Sequence, residues 1–291
     1  MFEKIAVHSG VFHADDVVSV AFIKELYGEN IRIERVSQRD AETQGRLAAR
    51  GYTLIDVGCG EFDHHQPEHK TDEYKYADNG ILKSALGLVL DQCVADGKLL
   101  AEEVKFLLDK GLYTLQAKDN GQDVKKDSLT DSPFEYIAWL NCDDIYSEDQ
   151  DEFFLGAVDI TQVVVHRMIL DARKVVKEHE ECIEALQNAK DGIVNFPHYM
   201  TNGVKECQRW NEKHTPEERI LFITFPDEKG GGYKIRGINK PGKMEVIQSL
   251  RFCGLRDEEL NEAAGISDGI FVHANGFLGG AGSLESCYKL I

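Results

Sequence analysis

Short apolar runs alternate with longer, mostly helical patterns along the chain. Lys4-Ile5-Ala6-Val7 predicts a buried strand that delivers His8 to a turn containing Ser9 and Gly10. Residues 17–27 have helical length, with Asp15 and Asp16 at their start and Gly28 just past their end, the charge and stop signals of a helix. A second apolar run, Tyr52-Thr53-Leu54-Ile55, ends in Asp56-Val57-Gly58, and Asp63-His64-His65 follows in the next loop. Residues 102–115 space Val104, Leu107, Leu108, Leu112 and Leu115 along one helical face, and Asp119-Asn120-Gly121 reads as the stop and turn after it. An acidic stretch with Asp143, Asp144, Glu148, Asp149, Asp151 and Glu152 then precedes an apolar-periodic segment over 153–189, one long helix or two broken ones. Its Val163-Val164-Val165 and Met168-Ile169 are expected in a core. Near the end, Gly269-Ile270-Phe271-Val272 predicts a strand, followed by a glycine-rich loop over 273–282 and a short helix from Ser283.

Strand, loop and helix at the amino terminus make the first half of a βαβ unit. In an open parallel sheet the ligand crevice lies outside the carboxyl ends of the strands, so His8, His13, Asp15 and Asp16 after one strand and Asp56, Asp63, His64 and His65 after another converge on one pocket. Imidazole and carboxylate suit a pair of divalent ions that hold a phosphate while water attacks it. Single aspartates at a helix start are ordinary caps, and Asp15 or Asp16 does some capping in any case. His69 is read as a surface residue. Three clusters in the loops after two predicted strands are harder to obtain by chance. Asp63 suits the carboxylate that orients a ligating histidine.

The pattern His8-Ser9-Gly10-Val11-Phe12-His13-Ala14-Asp15-Asp16, with Asp56-Val57-Gly58 and Asp63-His64-His65-Gln66, resembles the melanocyte-proliferating-gene (MYG) family, a branch of the DHH phosphoesterase superfamily. Lys118-Asp119-Asn120-Gly121, Gly254-Leu255-Arg256-Asp257-Glu258-Glu259-Leu260 and the segment from Phe271 to Gly280 continue the likeness. The resemblance implies an α/β fold: an amino-terminal parallel-sheet domain of the DHH type with a smaller carboxyl-terminal α+β domain closing over the substrate. The expected division is 1–150, a helical linker over 151–192, and 193–291. It also implies two divalent ions, manganese with magnesium or another transition metal as the alternative. His8, His13 and Asp56 would hold one, and Asp15, Asp56, His64 and Asp119 the other. Asp56 would bridge, His65 would face the phosphate, and Asp63 and Asp16 would stand behind the ligands. His13 stands where the wider superfamily commonly has an acid, which makes the site less negative.

Charge bears on partners. The formal net charge is -18, which repels polyanions. Yet Lys229, Lys234, Arg236, Lys240, Lys243, Arg251 and Arg256 face a single acid, Glu245, within residues 229–256. That cluster suggests a local phosphate clamp, with Arg236 and Arg251 as preferred members because guanidinium grips phosphate through paired hydrogen bonds, and Lys243 as a further substrate contact. His273 and the backbone of Gly279 and Gly280 form a second candidate phosphate contact. The hydrophobic share of 42% is ordinary for a globular chain, no run approaches about 18 consecutive apolar residues, and the amino terminus lacks a secretory pattern. Seven cysteines without a Cys-x-x-Cys pair suit a reducing cytoplasm and argue against structural zinc.

The expected function is two-metal hydrolysis of phosphodiesters, with the ions about 3.5–4 Å apart and Asp56 and His65 at the reacting centre. The resemblance adds a 3′-5′ exonuclease acting on RNA or short oligonucleotides. A small nucleotide or pyrophosphate fits the same chemistry, and a non-catalytic metal- and nucleotide-binding protein is the reading from another class. Oligomeric state is open, a homodimer being the candidate, and no membrane partner is expected.

Overall fold

The computed structural model describes residues 2–66, 75–77, 79–123, 129–142, 144, 147 and 149–291. His69, Asp143 and Glu148 of the sequence reading lie outside them. The chain divides into two compact units, Met1–Arg173 and Lys174–Ile291.

The first unit is built on strands β1 (Lys4–His8), β2 (Arg32–Val36) and β3 (Thr53–Ile55), all parallel, in the order β2-β1-β3. Ile5, Ala6 and Val7 of the central strand are fully buried, which is why its sequence is a continuous apolar run. Edge strand β2 reads Arg-Ile-Glu-Arg-Val and escaped the apolar pattern because it is only partly covered. Helix α1 (Ala14–Tyr27) buries every residue from Asp15 to Ile23, and it starts one turn earlier than the apolar pattern alone predicts. Helices α2 (Ala41–Ala49), α3 (Ala85–Ala95), α4 (Ala101–Leu107) and α5 (Tyr113–Asp119) complete the layers.

The helix expected over 102–115 is broken. Lys110 and Gly111 leave helical geometry, Gly111 at φ 109°, and the chain resumes as α5, which ends on Asp119. A side chain at Gly111 would meet the Asp131 carbonyl oxygen at 2.5 Å. The kink therefore needs glycine for both conformation and space.

Helix α6 (Gln150–Gln187) is one continuous helix, which settles the choice between one helix and two. Phe154, Ala157, Val158, Val165, Ile169 and Ala172 lie in the core of the first unit, whereas Cys182 and Leu186 lie in a core of the second. The expected separate linker over 151–192 is therefore absent as a body of its own, since each half of the helix is absorbed by the unit it packs in. Val163, expected in the core, is 73% exposed. By length and composition α6 could cross a membrane, although it contains no uninterrupted apolar run of that length.

The second unit is α+β. Strands β4 (Ile193–Asn195), β5 (Phe222–Pro226), β6 (Tyr233–Gly237), β7 (Gly269–Val272) and β8 (Leu278–Ala281) form a sheet ordered β4-β5-β6-β8-β7. Only β4 and β5 are parallel. Helices α7 (Gly203–Lys213), α8 (Asp257–Ala264) and α9 (Leu284–Tyr288) accompany it, and the Ser283 side chain caps α9 by accepting from the Ser286 N–H. The expected glycine-rich loop over 273–282 is a tight turn followed by β8. Gly279 is paired with Ile235 and Val272, and Gly280 with Lys234 and Phe271, so they lie in the sheet ladder rather than in an anion-binding loop. Their missing side chains admit Leu250 and Phe271 to close contact.

Candidate metal centre

The loops after β1 and β3 are fixed by specific contacts. Arg35 donates to the carbonyl of His8 at 2.8 and 3.0 Å and to that of Gly10 at 2.9 Å, which anchors the turn leaving β1. His13 precedes α1, and its backbone N–H donates to the Asp16 carboxylate at 3.3 Å. Asp15 accepts from the Ser84 hydroxyl and, at 3.2 Å, from the N–H of Leu86 at the start of α3. Asp56 follows β3 with φ 56°, a left-handed conformation that aspartate tolerates better than most residues and that often marks functional sites. Its N–H donates to Phe62 at 2.9 Å. Asp63 accepts from the N–H groups of Cys59 and His65 and from His65 Nδ1, at 2.7, 3.0 and 2.8 Å.

These loops, the start of α1 and the end of α5 bring eight sequence candidates together in three donor groups: His8, His13 and Asp16; Asp56, His64 and His65; Asp15, His64 and Asp119. Within each group the donor atoms lie within 4.8 Å of one another. Asp56 reaches both ways, Oδ2 standing 3.5 Å from His8 Nε2 and Oδ1 3.0 Å from His64 Nε2. Asp16 stands 2.8 Å from His8 Nε2, and Asp119 3.0 Å from His64 Nε2. His8, Asp15, Asp16, Asp56 and His64 are buried, while His65 is open to solvent.

Hydrogen bonding tests whether this set fits a cation. The Asn120 amide nitrogen donates to the carbonyls of Leu82 and Gln116, at 2.9 and 3.0 Å, so its oxygen accepts from His64 Nδ1 at 3.0 Å. A neutral His64 then points the Nε2 lone pair at carboxylate oxygens of Asp56 and Asp119. A proton or a cation has to lie between them. Asp16 Oδ1 is also buried with no hydrogen-bond partner among the described residues. All donors are nitrogen or oxygen, a set that suits a divalent ion accepting imidazole and carboxylate rather than one that demands thiolate.

Without a cation the carboxylates hold protons on the imidazoles. Burial by itself would lower His8, but the charge and hydrogen bond of Asp16, with Asp56, push it up to about 9. Burial is likewise outweighed at His64, where hydrogen bonds to Asp119 and Asp56 and the Asp15 charge push the imidazole up to about 11. Burial and the charges of Asp119 and Asp56 raise Asp15 well above the usual carboxylate range. Burial would raise Asp16 too, but His8 and His13 hold it below that range. Asp63, despite burial, is brought down to about 2 by His65 and its backbone donors. The hydrogen bond that His65 donates to Asp63 in turn raises His65.

Sequence reasoning placed Asp16 behind the ligands, whereas its carboxylate contributes to a donor group with His8 and His13. It missed Ser84, Asn120 and Arg35. Ser84 carried a readable signal, a serine before an apolar helix, yet its hydroxyl serves Asp15 rather than the helix end. A cavity of about 370 Å³ adjoins His13, Asp15 and Asp119, with Phe12, Leu115 and Phe134 among its walls.

In the second unit, Arg236 and Lys243 line one cavity of about 580 Å³ with Asn275 and Phe277. Arg251 stacks on Phe252 and His273 packs against Phe277, and neither lines that cavity. Lys234 and Lys240 are paired with Asp227 and Glu245, which reduces the free positive charge of the segment.

The profile of the MYG1_exonuc family, described as an uncharacterised protein family (UPF0160), matches residues 4–291. The chain belongs to the MYG1_exonuc family. Among relatives, the MYG1 protein C27H6.8 of Caenorhabditis elegans is 34% identical, over 96% of this chain and 91% of its own length. The MYG1 exonuclease of Homo sapiens is 24% identical, over 99% of this chain and 84% of its own. A solved structure titled as a pGpG-specific phosphodiesterase, PggH from Vibrio cholrae, overlaps 98% of this chain and 96% of its own at 12% identity. Its TM-score of 0.32 is too low for any argument. Membership in MYG1_exonuc thus rests on sequence spanning both units.

Proposed function

We propose that the chain is a metal-dependent phosphoesterase, a 3′-5′ exonuclease on RNA or short oligonucleotides that uses two manganese ions. The observation carrying this reading is the Asp56 carboxylate held between His8 and His64, in a buried set of nitrogen and oxygen donors whose protons a cation would replace. His8, His13 and Asp16, with Asp56, would hold one ion; Asp15, His64 and Asp119, again with Asp56, would hold the other. Bound there, the ions would activate water and offset charge developing on the phosphate oxygens. Ser84 and Asn120 fix Asp15 and His64, so the donors need no rearrangement. Asp63 occupies His65 Nδ1 and favours its protonated form, which leaves Nε2 to donate to a phosphate oxygen or a leaving alkoxide.

The apolar-walled cavity beside His13 and Asp119 supports a substrate that carries a nucleoside over bare pyrophosphate. Arg236 and Lys243 support phosphate contacts by the second unit. Cytoplasmic location belongs to the same proposal and rests on the cysteine spacing. The test is manganese-dependent hydrolysis of labelled RNA, single-stranded DNA, dinucleotides and pyrophosphate, with Asp56→Ala as control. Cleavage of RNA or dinucleotides that disappears in the variant is expected. Equal cleavage by both proteins would expose a contaminant and leave a binding protein as the reading, and pyrophosphate as the sole substrate would overturn the nuclease assignment.

A further inference from the structure

Helix α6 carries an apolar stripe that its own unit leaves uncovered. Phe153, Leu155, Ile160, Val163 and Leu170 are between 41% and 73% exposed. Along the helix Phe153, Gly156, Ile160, Val163, Arg167 and Leu170 recur at alternating spacings of three and four, the seam of a helix pair. The other face is committed to the core through Phe154, Ala157, Val158, Val165, Ile169 and Ala172. Spanning a bilayer would therefore dismantle the first unit.

We propose that this seam binds a second copy of the chain, helix antiparallel to helix, about a two-fold axis passing between Thr161 and Gln162. In that register Phe153 lies level with Leu170 of the second copy, Gly156 with Arg167, and Ile160 with Val163. Every member of the seam from Phe153 to Leu170 meets another member, as an isologous contact requires. Gly156 suits its place opposite Arg167, since even a Cβ there would meet nothing within 4 Å. From 153 to 170 the seam runs about 26 Å at 1.5 Å per residue.

Charge selects both the occupant and its direction. Residues 149–159 carry Asp149, Asp151, Glu152 and Asp159 and no cation. Lys24 reaches Asp159 at 2.7 Å and Arg35 reaches Asp151 at 3.6 Å, but Asp149 and Glu152 have no ion-pair partner among the described residues. Residues 164–174 carry Arg167, Arg173 and Lys174 against Asp171 alone; Asp171 is paired with Arg167, which leaves a net positive end. An antiparallel pair sets the acidic end of each helix against the basic end of the other, whereas a parallel pair sets like against like. A lipid surface would offer no counterpart for this polarity.

Sedimentation velocity on the full chain tests the proposal. The wild type is expected at twice 32.7 kDa, and Ile160→Glu and Val163→Glu each at 32.7 kDa with an unchanged circular dichroism spectrum, because both positions are exposed in the single chain. Register is read by disulfide trapping in a Cys59→Ser, Cys253→Ser background, which removes the two exposed thiols. Phe153→Cys protein mixed with Leu170→Cys protein should give the mixed dimer, and Phe153→Cys alone should not cross-link. A monomeric wild type, a dimer untouched by either glutamate, or a Phe153→Cys homodimer would overturn the proposal. Flotation with phosphatidylglycerol vesicles that Ile160→Glu abolishes would assign the stripe to lipid instead.

Discussion

His64 shows how tightly single residues constrain this centre. Its Nδ1 is taken by Asn120, its Nε2 faces Asp56 and Asp119, and Asn120 is itself held by two carbonyls. Replacing Asn120 by Ala frees the ring to rotate and switch tautomer. A loss of about 10- to 100-fold in manganese affinity is expected, read by calorimetric titration, with the fold intact by circular dichroism. Unchanged affinity would mean that Asn120 does not orient the ligand. Protonation gives a second check. His8 rises from 6.5 to about 9, so the stability its ion pair lends the metal-free chain is present below pH 6.5 and lost as pH climbs through about 9. His64 acts in the same sense, from 6.5 to about 11. A cation bound there would displace these protons, so manganese affinity should rise with pH over that window, and titrations in buffers of different ionisation enthalpy should register proton release. Binding without proton release would contradict the assignment of His8 and His64.

At the scale of elements, the kink between α4 and α5 determines where Asp119 emerges. Gly111→Ala forces a side chain into a left-handed backbone and against the Asp131 carbonyl, and should destabilise the protein by more than about 1 kcal/mol. Urea unfolding measures this, and a change within error would show that the kink relaxes freely. The first half of the site was legible because each cluster follows a strand whose apolar run is continuous, as for Ile5 to Val7 before His8. Asp119 was readable only through resemblance, since its own surroundings look like an ordinary helix end. Ser84, Asn120 and Arg35 stayed hidden because their roles depend on contacts across long sequence separations, as between Ser84 and Asp15. Strand β8 was mistaken for a loop because Gly279 and Gly280 have low strand propensity, and pairing on both sides overrides it.

Over the whole molecule, a net charge of -18 acts on any polyanionic substrate before local contacts form. Monovalent salt shortens the reach of that repulsion to about 10 Å at 0.1 M. KM for long RNA should therefore fall as salt is added at fixed manganese, while KM for a dinucleotide barely moves. A KM for RNA that climbs steeply with salt would indicate counterion release from a basic surface instead. The central claim is that β1, β3 and α5 gather their terminal residues around two adjacent cations. Electron paramagnetic resonance of the manganese-loaded chain tests it most directly. An exchange-coupled pair spectrum that collapses to isolated manganese in Asp56→Ala is predicted, and a wild-type spectrum of isolated, uncoupled ions at full loading would contradict it.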